Sequence, residues 1–169
     1  HIHGGGWVKG TRNDKFAIAR YNADGSLDTS FGSGGKVLTQ VASSDGSHDE
    51  VTSMVVQPDG KLTVAGYAAF GLQQFALGRY NADGSLDTTF GGLGTGFAVT
   101  DLGGNDTVGG MTNTPGGGGF IVSGGSGGMA AVKYTDDGLL DPTFGSGGKV
   151  KLAGFGGVAV QLEFAPVPV

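Results

Sequence analysis

Apolar and polar residues alternate in short runs along the chain, and each run is closed by glycine, proline or an Asx-Gly pair. Phe16-Ala17-Ile18-Ala19-Arg20-Tyr21 is one such run, and Phe75-Ala76-Leu77-Gly78-Arg79-Tyr80 is a second. A period of two marks a strand with one face buried. Behind each run stands the same punctuation: Asn22-Ala23-Asp24-Gly25-Ser26-Leu27-Asp28-Thr29-Ser30-Phe31-Gly32 returns as Asn81-Ala82-Asp83-Gly84-Ser85-Leu86-Asp87-Thr88-Thr89-Phe90-Gly91. A looser third copy runs from Ala130 through Tyr134, Asp136, Asp137, Gly138 and Asp141 to Phe144 and Gly145.

Self-similarity of this length decides the fold reading, because a repeat unit cannot bury its own apolar face and must stack on its neighbours. Each copy predicts four strands. The first ends at the tyrosine. The second is a short β-branched segment such as Lys36-Val37-Leu38-Thr39 or Lys149-Val150-Lys151-Leu152. The third covers 51–57, 108–114 and 159–165, and each copy stops at Pro58, Pro115 or Pro166, where the missing N–H ends a ladder. The fourth is Lys61-Leu62-Thr63-Val64-Ala65-Gly66, echoed by Gly119-Phe120-Ile121-Val122-Ser123-Gly124. The expected organisation is one array: a strand-four remnant at 6–14, repeat one at 15–74, repeat two at 75–128 and an incomplete repeat three at 129–169. Gly6-Trp7-Val8-Lys9-Gly10 reads as the lone fourth strand and could complete a sheet begun by 158–164. The fold class is all-β, tandem four-stranded antiparallel blades of propeller type. Three blades are fewer than the usual 4–8 of a closed ring, so two chains closing a six-bladed ring, neighbouring blades of a longer protein and an open stack all stay open.

Composition narrows the function. The 37 glycines follow no three-residue period and sit among Val, Leu, Phe and Tyr, which disfavours both collagen and disorder. A net charge of −5 without a basic stripe offers nothing to nucleic acid or anionic lipid. Cysteine is absent, so disulfides and thiolate chemistry drop out. No apolar run approaches the length that spans a bilayer.

The combination of the 75–91 stretch with Gln57-Pro58-Asp59-Gly60-Lys61 and Val64-Ala65-Gly66 resembles the delta-60 repeat family. The likeness covers the chain from Trp7 to Pro166. It implies a β-propeller-like repeat of large secreted or surface bacterial proteins, hence an extracellular or cell-surface location, with no assigned catalysis. The third copy departs from the pattern: Thr135 stands for the asparagine, Leu139 for the serine, and Pro115-Gly116-Gly117-Gly118 and Pro166-Val167-Pro168-Val169 for Pro-Asp-Gly.

Candidate sites follow from the same residues. Oxygen-bearing side chains spaced by two around a glycine suit a calcium loop, with Asn22, Asp24, Asp28, Asn81, Asp83 and Asp87 as the ligand set and Asp136, Asp137 and Asp141 behind them. The competing reading has them hydrogen-bonding their own turns. One aromatic per copy, in Tyr21, Phe31, Tyr80, Phe90, Tyr134 and Phe144, fits either carbohydrate stacking or packing between blades. Trp7 has no aromatic at its equivalent in the Val64 strand and is singled out as an interaction residue. His48 is the second, in the polar segment 41–50, which reads as a solvated insertion absent from the other copies. His1 and His3 read as a mobile terminus. No acid–base pair breaks the repeat as an enzyme requires. The expectation is a non-catalytic module that binds a protein partner or its own copies through sheet edges, with calcium or carbohydrate binding as the alternative.

Overall fold

The computed structural model describes residues 1–10, 13–43 and 46–154. They form eleven strands in three antiparallel sheets. The first sheet holds β1 (Ile2–Val8), β2 (Lys15–Tyr21) and β3 (Lys36–Thr39). The second has the order β4 (Glu50–Val56), β5 (Leu62–Phe70), β6 (Leu72–Tyr80) and β7 (Phe97–Thr100). The third has β8 (Thr107–Asn113), β9 (Phe120–Gly125), β10 (Gly128–Tyr134) and β11 (Lys149–Ala153). The all-β reading holds, and the three sheets do not close on one another. The third strand expected at 159–165, and with it any pairing to Trp7, lies outside the described residues.

The sheets are offset from the sequence copies by half a unit. Each full sheet joins strands three and four of one copy to strands one and two of the next, because the tight connections dictate pairing. Gly71 alone links β5 to β6, and its φ of 97° is open to glycine and costly to other residues. The links 40–49 and 101–106 are those that cross from one sheet to the next. In both full sheets a register shift falls at the same place, between Val51 and Ser53 and between Val108 and Gly110, a recurring bulge that turns the first strand.

Burial follows the strand period. Phe16, Ile18 and Phe31 of the first sheet pack on Val51, Leu62, Val64, Ala76 and Tyr80 of the second. Phe75, Leu77 and Phe90 of the second pack on Met111, Phe120, Val122, Val132 and Tyr134 of the third. The core is thus two seams between sheets, each filled by equivalent residues of successive copies. Of the recurring aromatics, Phe31, Tyr80, Phe90 and Tyr134 serve these seams, while Tyr21 and Phe144 lie outside them.

β1 starts at Ile2, four residues before the expected remnant. The terminus is held: His1 Nε2 lies 2.9 Å from Asp28 Oδ2, and the His3 ring meets Phe31 edge-on at 5.9 Å. The expectation of a mobile His1 and His3 is therefore corrected. His3, Gly5 and Trp7 share the β1 face that meets Phe31, Val51, Met54 and His48, which a glycine-rich sequence does not advertise. Burial, followed by the Arg20 charge, lowers the His3 pKa.

Candidate interaction surfaces

The Asx-Gly turns occupy a defined place at both seams. Asp24 Oδ1 accepts from Ser26 N–H at 2.9 Å and from Ser26 Oγ at 2.7 Å, and Asp83 repeats both bonds with Ser85 at 2.8 and 2.6 Å. Asn22 and Asn81 donate from Nδ2 to the same serines at 3.0 Å. These bonds hold the Asp24 and Asp83 carboxyls below their ordinary pKa. Asp28, Asp87 and Asp141 do different work. Each sits eight residues after a basic residue on the preceding strand and pairs with it: Arg20 Nε to Asp28 at 2.8 Å, Arg79 Nε to Asp87 at 2.8 Å, Lys133 Nζ to Asp141 at 2.7 Å. Ser30, Thr89 or Thr143 donates through both N–H and hydroxyl to the other carboxylate oxygen. Asp87 also receives Lys61 Nζ at 2.9 Å. Burial works against its charge, but Thr89, Lys61 and Arg79 outweigh burial and hold the pKa far below the usual carboxylate range.

The six candidate ligands thus fall into separate places: Asn22 with Asp24, and Asn81 with Asp83, lie in the turns, while Asp28 and Asp87 lie beside the arginines. Among the described residues no three His, Asp or Glu side chains gather closely enough to hold a metal ion.

The arginines reach across the seams. Arg20 Nη1 donates to the Ala82 carbonyl of the next sheet's turn, and Gly32 N–H donates to the Asp83 carbonyl at 2.7 Å. One sheet on, Arg79 Nη1 donates to Asp136 O at 2.7 Å and Gly91 N–H to Asp137 O at 2.8 Å. A third bond runs the other way: Tyr80 hydroxyl to Thr39 Oγ1 at 3.0 Å, and Tyr134 hydroxyl to Thr100 Oγ1 at 2.7 Å. Each seam therefore carries one three-bond latch, with the arginine stacked over the phenylalanine that fills it, 4.7 Å from Phe31 and 4.8 Å from Phe90. Turn glycines permit the approach. A Cβ at Gly84 would stand 2.8 Å from Gly32 N, and one at Gly138 would stand 2.5 Å from the Phe90 ring. Arg20 and Arg79 carried no role in the sequence reading; the fixed basic-to-acidic offset of eight residues was the signal that pointed to them.

Trp7 and His48 come together at the first seam. The Trp7 ring meets His48 edge-on at 5.0 Å, and the Tyr67 ring lies 5.8 Å from His48 on β5. His48 Nδ1 bonds Asp14 Oδ2 of the first sheet, Nε2 lies 3.4 Å from Glu50 Oε2 of the second, and Tyr67 donates to Glu50 Oε2 at 2.6 Å. Two expectations are corrected. Trp7 pairs with Phe16 as Tyr67 pairs with Phe75, so its counterpart is the aromatic Tyr67. The 41–50 segment is not a solvated insertion: Ser47 and Asp49 are buried, and Asp49 accepts the Val41 and Ala42 N–H groups at 2.8 and 3.1 Å. Asp106 repeats this on Leu102 N–H at 2.8 Å, so the segment is a longer version of the 101–106 link. Backbone amides turned into a buried corner need such an acceptor.

Burial lowers the His48 pKa, but the hydrogen bonds and charges of Asp14 and Glu50 outweigh it, and the net shift is upward from 6.5. A raised histidine contributes its stability below the unfolded pKa of about 6.5 and loses it as pH rises through the folded value. Denaturant midpoints of the wild type should therefore fall as pH rises above about 6.5, and His48→Gln should flatten that step. Parallel profiles for the two proteins would sink the bridge.

Repeating antiparallel sheets stacked face to face with one latch per seam define a propeller-type repeat array. Residues 5–31 and 57–90 match the family described as a domain of unknown function (DUF5122) beta-propeller. That is the delta-60 repeat-type family, which these two stretches of the chain match. Each stretch runs from the strand or turn before an arginine strand to the latch phenylalanine, Phe31 or Phe90. No curated protein matches the chain.

Proposed function

We propose that the chain is a non-catalytic structural and protein-interaction module of a secreted or cell-surface assembly. The observation carrying this reading is that the recurring polar residues are spent on joining sheets: acids pair with the arginines or close their own turns, and turn carbonyls take the next latch. A catalytic or ligand-binding set would break the repeat with groups aimed at open space, whereas here the most distinctive cluster, His48 with Asp14 and Glu50, ties two sheets together. The family likeness supports the surface location. No helix among the described residues is long and apolar enough to cross a membrane.

The test is immunolabelling of intact cells that produce the protein, with antibody raised to this chain. The reading predicts labelling without permeabilisation and its loss after external protease. Labelling that requires permeabilisation would overturn the surface assignment.

A further inference from the structure

We propose that the open faces of the first and third sheets dock on each other in two copies of this chain, head to tail, closing a six-sheet array with the latch used inside each copy. This rests on the reading of the chain as an interaction module and names its partner.

The two free faces are the two halves of a seam the chain already makes twice. On the first sheet, Tyr21 stands where Tyr80 and Tyr134 stand, and Ala23 and Asp24 stand where Ala82 and Asp83, or Asp136 and Asp137, present carbonyls to an arginine and a glycine. Gly84 and Gly138 are buried under the preceding sheet, but a Cβ at Gly25 would meet nothing within 4 Å. The same face carries a shallow apolar depression lined by Gly4, Gly6, Val8, Ala19, Tyr21 and Leu38. Ile2, register partner of Tyr21 as Leu62 is of Tyr80, is 60% exposed, whereas Leu62 is 2% exposed.

The third sheet offers the other half. Met129, Ala131 and Phe144 occupy the positions of Phe75, Leu77 and Phe90, Gly145 that of Gly91, and Lys133 that of Arg79. Phe144 is half-buried where Phe90 is fully buried, because nothing among the described residues covers it. Lys133 brings a cation toward the turn that holds Asp24. The second copy is favoured over an unrelated partner because position after position matches the internal seams. The match is also weakened: Leu152 replaces the threonine that receives the tyrosine, Ala131 is smaller than Leu77, and one ammonium cannot span both Asp141 and a carbonyl as a guanidinium does. The docked pair should therefore be reversible. Six sheets fall within the range in which propeller rings close.

A heterologous contact has a distinctive test. Wild-type chain in a concentration series by analytical ultracentrifugation should pass from 16.8 kDa to about twice that mass and no further. Ala17→Arg blocks the first face and Ala131→Arg the third; each alone should lose the closed dimer while keeping wild-type circular dichroism and cooperative melting. Mixing the two variants restores one unblocked seam, so a heterodimer should form that neither gives alone. A wild type that stays monomeric, or species growing past two copies, would overturn the proposal. So would a dimer abolished by only one of the variants, the mark of one face docking on itself. A monomer would leave the surface labelling untouched, so failure here is separable from failure of the module reading.

Discussion

Asp87→Ala lowers the stability of the chain by about 3–5 kcal/mol, the scale set by removing one partner of a buried ion pair. Asp87 Oδ2 is shared by Arg79 and Lys61, and Oδ1 takes the Thr89 N–H and hydroxyl. Arg79 is 4% exposed, so without Asp87 a cation is left in the seam with only carbonyl and hydroxyl partners. Domains of this kind are stable by about 5–15 kcal/mol, and the loss is a large part of that. Chemical denaturation read by circular dichroism measures it. The pH profile has a fixed sign: the Asp87 pKa is depressed, so its contribution is present above about pH 4, the unfolded carboxylate value, and fades as pH falls toward the folded value. A variant as stable as the wild type would remove the latch from the account.

Phe90→Ala costs a similar amount, about 3–5 kcal/mol for a phenylalanine deleted from a closed core. Its ring is fully buried, meets Phe120 edge-on at 6.2 Å, carries the Arg79 guanidinium on its face, and lies under Gly138 of the next turn. Phe144 is the internal control. It has the same place in the repeat, but its seam is open in one copy, so Phe144→Ala at dilute concentration should cost on the order of 1 kcal/mol. Equal costs at the two positions would mean that burial in the seams is not what the recurring phenylalanine supplies. Because Asp87 and Phe90 both act on Arg79, the double variant should lose less than the sum of the two.

The strands and their turns were legible because their signals are local. Alternation placed β2, β6 and β10, Asp-Gly marked the turns, and recurrence offered packing between blades as one of two readings of Phe31 and Phe90. The grouping of strands into sheets was not legible from the period, which is indifferent to where a unit starts. The one-residue link at Gly71 shows that β5 and β6 pair, but the break itself falls at 40–49 and 101–106, links shorter than 22–35 and 81–96, which stay within a sheet. Trp7 was left without a counterpart because the turn after β1 is longer than Gly71, which shifts Tyr67 by one position against Phe75. His48 was read as solvated because its partners, Asp14 and Tyr67, are distant in sequence and brought together only when sheets stack. The latch itself joins residues some sixty positions apart, as with Arg20 and Ala82, and only the offset of eight between base and acid shows through locally.

The claim that the recurring turns join sheets is tested most directly by melting the wild type, Asp83→Ala and Asp87→Ala in chelator and again in millimolar calcium. The account predicts one wild-type midpoint in both solutions, a small loss for Asp83→Ala, whose carboxylate serves only its own exposed turn, and a large loss for Asp87→Ala that calcium leaves unchanged. A wild-type midpoint that rises with calcium, with Asp83→Ala abolishing the rise, would contradict it and make the turns cation sites.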